Sequence, residues 1–171
     1  RSSGVYLTHN LNRGRKLFGA KIIPNRGAWL EFETDPDGSI QVKIDRKRKI
    51  PATSLLRALG MEGNEEIRAY FSDIDTGETV HIEKTLERDP SRTQDESFIE
   101  IYKRIRPGDL ATSDNARSLI QTMFSADHYD LAEVGRYKFD QRLGHQLAAA
   151  ESAHGKVPPR RGRGCPMMGI V

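Results

Sequence analysis

The sequence predicts an α+β fold, a small mixed or antiparallel β-sheet built around a β-hairpin and packed by about four to five helices. Three observations carry this. Residues 28–34 and 39–45 alternate apolar and polar side chains on either side of Asp35-Pro36-Asp37-Gly38, a period of two flanking turn chemistry. Residues 95–106 and 113–124 switch to apolar positions spaced three and four apart, the period of a one-sided helix. The 171 residues are 36% apolar and 30% charged, which suits one domain with a modest core and much polar surface.

Taken in order, residues 4–8 and 16–23 read as strands separated by a polar loop over 10–15. In the hairpin, Leu30 and Phe32 share one face opposite Trp29, Glu31 and Glu33, and Ile40, Val42 and Ile44 lie opposite Gln41, Lys43 and Asp45. With the apolar faces aligned, Glu31 and Glu33 meet Lys43 across the strands. After the basic run Arg46-Lys47-Arg48-Lys49, Pro51 opens a short helix with Leu55, Leu56 and Leu59 inward, and Gly60 ends it. Asn64-Glu65-Glu66 starts the next helix, with carboxylates in its first turn and Ile67, Tyr70 and Phe71 on its apolar side. Residues 72–83 read as a turn at Asp75–Gly77 and a short strand through Val80 and Ile82, and 86–94 as a polar connector.

Asp95–Arg106 forms a helix with Phe98, Ile101, Tyr102 and Ile105 on one face, stopped by Pro107-Gly108. Ser113-Asp114 caps a helix whose apolar face is Ala116, Leu119, Ile120, Met123 and Phe124. Asp130 and Glu133 have capping-box spacing ahead of a last helical segment, with Val134, Tyr137 and Phe139 inward. Residues 1–144 form the domain. Residues 145–171 are rich in Pro, Gly and Arg and read as a disordered tail, an arginine-rich RNA-binding arm being the alternative.

Net charge is +3, yet from His145 onward four cations face one carboxylate, so residues 1–144 sum to zero. Contact of the body with nucleic acid therefore rests on local patches rather than on a global field. Cys165 is the single cysteine, which excludes an internal disulfide and a multi-cysteine zinc site. His9, His81, His128, His145 and His154 show no ligand spacing, and Asp35 and Asp37 are ordinary turn aspartates rather than a magnesium pair. No apolar run is long enough to span a membrane, no signal peptide appears, and a reducing cytoplasm is expected. Neither a phosphate-binding glycine loop nor a nucleophile elbow occurs.

Several motifs, in order, carry a family resemblance. They are Ile22-Ile23-Pro24-x-Arg26-Gly27-x-Trp29-Leu30, Ile44-Asp45-Arg46-Lys47-Arg48-Lys49 with Pro51-Ala52-Thr53, Leu56-Arg57-Ala58-Leu59, Glu100-Ile101-Tyr102 with Arg106-Pro107-Gly108, and Tyr129-Asp130-Leu131 with Val134-Gly135-Arg136 and Lys138-Phe139. Arg1-Ser2-Ser3-Gly4-Val5-Tyr6 is similar to the family's opening Arg-Ser-Pro-Gly-Val-aromatic, with Ser3 in place of the proline. Over most of residues 1–143 the chain resembles the lobe (β2) domain of the bacterial RNA polymerase β subunit. Many members carry a longer insertion where this chain has the short bridge over 72–83, and contacts made by that insertion do not carry over.

The resemblance implies a non-catalytic lobe forming one wall of the downstream DNA cleft, inside a nucleotidyltransferase whose catalytic Mg²⁺ belongs to another subunit, with no cofactor in this segment. It implies as partners the polymerase subunits β′, α and ω, σ factor, and promoter and downstream DNA, in a nucleoid-associated, cytoplasmic setting. It also implies a pocket for unpaired non-template bases formed by Arg1, Trp29, Asp130 and Arg136. Arg46, Lys47 and Arg48 are expected to contact phosphates, against the alternative of a solvated strand end. For Trp29 the alternative is a ring capping the sheet edge under a loop, for Asp130 the helix cap, and for Arg136 a surface pairing with Glu133. The same resemblance implies that Arg1–Val5 and Tyr137–Leu143 lie together at one neck. The alternative function is a protein-docking module for transcription regulators with little DNA affinity of its own.

Overall fold

The computed structural model describes residues 2–143. Arg1 and the whole expected tail lie outside the described residues. Five strands, β1 (Gly4–Asn12), β2 (Arg15–Ile23), β3 (Leu30–Thr34), β4 (Ile40–Ile44) and β5 (Ile50–Pro51), are joined in sequence order into one sheet. Every pairing is antiparallel. Six helices follow, α1 (Ala52–Ala58), α2 (Asn64–Phe71), α3 (His81–Arg88), α4 (Gln94–Ile105), α5 (Ser113–Met123) and α6 (Ala132–Leu143). The fold is α+β, as expected.

The β3–β4 hairpin takes the register that its alternation dictates: Leu30 faces Ile44 and Phe32 faces Val42. Leu30 and Val42 have no exposed surface. Helices α1 and α4 pack on the sheet and α5 packs on α4, and Leu55, Phe98, Ile101, Ala116, Ile120 and Phe124 share one continuous core with the hairpin. Burying each leucine, isoleucine or phenylalanine among them contributes about 1.5–3 kcal/mol. On the opposite face the expected ion pairs re-sort. Lys43 reaches Glu33 at 2.9 Å, diagonally, while Glu31 is 3.4 Å from Lys21 on the other neighbouring strand. Burial opposes ionisation of Glu33, but the hydrogen bonds from Lys49 and Lys43 outweigh it and hold its carboxyl below the usual range.

Several expectations are corrected. The loop over 10–15 is only the turn Arg13-Gly14: both residues have positive φ, and Asn12 pairs with Arg15, so β1 and β2 run on as a long ribbon. Primed turns of this kind match strand twist and let strands continue to the turn itself. The short strand through Val80 and Ile82 is instead the start of α3. Asp75, read as a turn residue, accepts from the N–H groups of His81 (3.0 Å) and Ile82 (2.7 Å) and caps that helix from a distance. Ile82 and Leu86, four apart, then pack with Met61 and Ile67 in a second small core, overriding the local β preference. Much of the 86–94 connector is likewise structural: it ends α3 and inserts the buried Asp89. In α6, Val134 and Tyr137 point outward and only Phe139 of the three is buried; Gly135, Arg136 and Asp140 share its inner face. Tyr70 of α2 is also exposed.

Helix α4 starts one residue early, with Thr93 and Glu96 closing a full capping box, and Thr112 rather than Ser113 caps α5. The two ends of the described chain meet, as expected. Lys138 Nζ donates to Ser2 Oγ at 2.6 Å, and α6 packs along β1.

Candidate nucleic-acid interface

Two segments about a hundred residues apart are stitched together by backbone. The N–H groups of Asn25 and Arg26 donate to the Asp130 carbonyl at 2.9 and 3.1 Å, and the Asp130 N–H donates to the Arg26 carbonyl at 2.9 Å. Gly27 makes this approach possible. Its φ is +116°, and a Cβ there would lie 2.7 Å from the His128 carbonyl oxygen and 2.9 Å from the Tyr129 ring. Trp29 follows three residues after the bridge, no more than about 11 Å of chain away. The fold thus brings the Trp29 segment to Asp130.

Asp130 is held by both backbone groups and by its side chain, whose Oδ1 accepts from the Ala132 N–H at 2.9 Å. This is the expected cap in part only. Glu133 does not complete the box, because the Asp130 N–H it would need already serves Arg26. The corner is strained: Ala132 has φ +56°, a left-handed conformation costing about 1–2 kcal/mol for a residue with a Cβ.

Arg136 is not a surface partner of Glu133. It is 4% exposed, on the inner face of α6, with its guanidinium carbon 5.6 Å from the Phe139 ring centroid. Its Nε, the Tyr129 hydroxyl and one carboxylate oxygen of Asp140 are buried without a hydrogen-bond partner. Burial pushes the Tyr129 phenol up to about 12, against the opposing pull of the Arg136 guanidinium. Helix α6 therefore carries a buried cation near Tyr129, with unused donor capacity.

Trp29 is half-buried and stands apart from the core. Its carbonyl accepts from the Asp45 N–H at 2.8 Å. The turn that follows β4 is closed by Lys47 N–H to the Ile44 carbonyl at 3.1 Å, with Asp45 and Arg46 at φ +52° and +60°. This is again primed-turn geometry, here adopted by two residues with side chains. It sets the Arg46 guanidinium carbon 4.4 Å from the centroid of the Trp29 ring, a cation–π contact. Lys47 and Arg48 project from the same corner, exposed, and among the described residues no carboxylate pairs with Arg46, Lys47 or Arg48. Lys49 differs, being paired with Glu33 and Asp35 at 2.9 and 3.0 Å.

Of the residues singled out from sequence, the fold therefore joins Trp29 to Arg46 by direct contact and to Asp130 through the Arg26 bridge. Asp130 stands two residues before α6, which carries Arg136. Arg1 lies outside the described residues. Sequence reasoning missed the Arg46–Trp29 stack, the bridge itself and Tyr129. No group of three or more metal-ligating side chains occurs among the described residues, and no helix among them is long and apolar enough to cross a membrane.

Residues 1–153 match the family model described as RNA polymerase Rpb2, domain 2, so the match continues past residue 144. Curated relatives include proteins named DNA-directed RNA polymerase subunit beta. The one from Clostridium perfringens (strain 13 / Type A) is 47% identical over 152 residues, covering 88% of this chain and 12% of the relative. The one from Alkaliphilus oremlandii is 45% identical over 166 residues, covering 95% and 13%. The one from Clostridium botulinum (strain Hall) is 48% identical over 149 residues, covering 86% and 12%. The chain spans about an eighth of the length of the curated relatives it matches.

Proposed function

Since this chain belongs to the RNA polymerase Rpb2 domain 2 family, as part of a bacterial RNA polymerase β subunit, we propose that it is a non-catalytic wall of the downstream DNA cleft that helps hold unpaired non-template bases. Its partners on this reading are the other polymerase subunits, σ factor, and promoter and downstream DNA. It works in the cytoplasm, and the catalytic metal is bound elsewhere in the assembly. The observation that supports the reading is the Arg26–Asp130 bridge, which holds the segment leading to Trp29 beside a residue about a hundred positions away in sequence. An aromatic face stacks on any base. A carboxylate oxygen accepts from a base amino group, and arginine donates to base-edge acceptors. The unpaired cations at Arg46, Lys47 and Arg48 supply phosphate contacts that fix register without reading sequence.

A regulator-docking surface is the second reading. It is favoured by the β1–β2 ribbon, where Leu7, Leu11 and Phe18 are 57%, 78% and 59% exposed. Fork-junction DNA separates the two. In the assembled enzyme, Trp29→Ala is expected to weaken binding at the downstream edge of the bubble by about 5- to 150-fold, the worth of one base–aromatic stack. The melting temperature of the isolated chain should stay nearly unchanged. Unchanged DNA binding in Trp29→Ala, with affinity indifferent to salt, would favour the docking surface.

A further inference from the structure

We infer that Arg46 is an exchangeable occupant of the Trp29 stacking face, which leaves the ring for the nucleotide's phosphate when an unpaired base takes its place. The inference rests on the base-stacking reading above and deepens it. Three observations support the exchange.

First, one face of the ring is already covered by an exposed side chain. Trp29 is half-buried, Arg46 is exposed, and its guanidinium carbon is 4.4 Å from the ring centroid. A base cannot stack on that face until the guanidinium moves.

Second, the backbone and the side chain of Arg46 are held very differently. The turn is locked by Lys47 N–H to Ile44 and by Asp45 N–H to Trp29 at 3.1 and 2.8 Å. The side chain beyond it is anchored by the ring alone, with no carboxylate partner among the described residues. The guanidinium can therefore leave without disturbing the turn.

Third, the competition runs the right way. An exposed cation–π contact is the weaker partner of an aromatic ring, and base–aromatic stacking is the stronger. The displaced guanidinium is not wasted. It joins Lys47 and Arg48 at the same corner, where the backbone of the stacked nucleotide must pass, and arginine is suited to a bidentate grip on a phosphate. In the absence of nucleic acid it shields the ring from water. The left-handed backbone of Asp45 and Arg46 sets the position from which the side chain reaches the ring.

The chain has one tryptophan, so intrinsic emission reports on Trp29 directly. The probe is single-stranded oligothymidylate, titrated over a range of salt concentrations against the parent chain, Arg46→Ala, Arg46→Lys and Trp29→Ala, with circular dichroism confirming unchanged folding. In Arg46→Ala the free-protein emission should shift to the red as the ring gains water. The slope of log affinity against log salt should fall by about 0.7, the loss of one phosphate contact on a single strand. The two lines should cross: at low salt Arg46→Ala binds more weakly, and at high salt, where the phosphate contact is screened, it binds about 2- to 5-fold more tightly because the competitor for the ring is gone. Arg46→Lys should keep the parent slope. Arg46→Ala that binds more weakly at every salt with the slope unchanged would show a fixed clamp and overturn the exchange while leaving base stacking intact. Equal slopes and affinities in parent and Arg46→Ala would overturn it too. Absence of any emission change with oligothymidylate in the parent, with Trp29→Ala binding as the parent does, would overturn the stacking reading itself.

Discussion

Asp89→Ala is expected to destabilise the fold by about 3–5 kcal/mol, the cost of leaving one member of a buried ion pair without its partner. Asp89 is 2% exposed and Arg57 has no exposed surface. The carboxylate accepts from Thr53 Oγ (2.8 Å), Arg57 Nε (3.1 Å), Ser54 Oγ (2.8 Å), the Ser91 N–H (2.9 Å) and the Ser91 hydroxyl. Arg57 reaches on to the Glu62 carbonyl and the Asn64 side chain. One carboxylate thus ties α1 to the segment after α3, and through Arg57 to the start of α2. Native domains are stable by only about 5–15 kcal/mol, so the loss removes a large fraction. Urea titration should show a much lower midpoint with an unchanged slope. A loss under about 1 kcal/mol would show that the network is replaceable.

The pH dependence has a definite sign. Burial raises the Asp89 pKa, but the hydrogen bonds from Ser91, Thr53 and Ser54 outweigh it, and the net shift is downward. A depressed folded-state pKa means stability that is fully present above the unfolded value of about 3.9 and is lost as pH falls from there through the folded value. In Asp89→Ala this part of the acid sensitivity should disappear.

Gly27→Ala is the second large effect. The added methyl would meet backbone and ring atoms at 2.7–3.1 Å and would sit at φ +116°, where L side chains pay steric strain. Neither neighbour can yield cheaply: the His128 carbonyl is backbone, and the Tyr129 ring is packed 5.6 Å from Phe124 in the core. The expected cost is about 2–4 kcal/mol, from backbone strain and overpacking together. The bridge to Asp130 should loosen with it, so that Trp29 keeps its Arg46 stack while losing its distance to Asp130. Hydrogen exchange at the Asn25, Arg26 and Asp130 amides reads this directly. Protection unchanged at all three would show that the bridge does not depend on Gly27.

Gly27 also marks the limit of what the residues reveal. The β3–β4 hairpin, α1, α4 and α5 were legible because each buries one face, and one-sided burial imprints a period of two or 3.6 on the chain. Phe98, Ile101 and Tyr102 could hardly lie elsewhere. Asp75 and Asp89 carry no such imprint. Each is a lone carboxylate whose partners are chosen by the tertiary fold: helix amides for one, an arginine and three hydroxyls for the other. The same holds for α6, where the inner face is glycine, arginine and aspartate, so a hydrophobic period points the wrong way. At the candidate site, Trp29, Asp130 and Arg136 were reached through family resemblance, whereas the Arg46–Trp29 stack depends on two left-handed residues that lack the glycine signalling them. The Thr93–Glu96 capping box was readable, since a threonine three residues ahead of a glutamate before an apolar run is its signature.

Order of assembly follows from the meander. Each sheet neighbour is also the next strand along the chain, so hairpins close locally on a timescale of about 1–10 μs. The contact between β1 and α6 spans nearly the whole described chain, and its closure carries a far larger entropy cost. On a ribosome adding about 5–20 residues per second, β1 waits on the order of ten seconds for the helix that covers it. The start of β1, where Gly4 and Val5 are buried and Gly4 lies against Lys138 of α6, spends that interval uncovered, while the rest of the strand stays exposed in the finished fold as well. Asp130 and Arg136 arrive with that late helical end, so the half of the candidate site that holds Trp29 is folded first and the half that completes it is folded last.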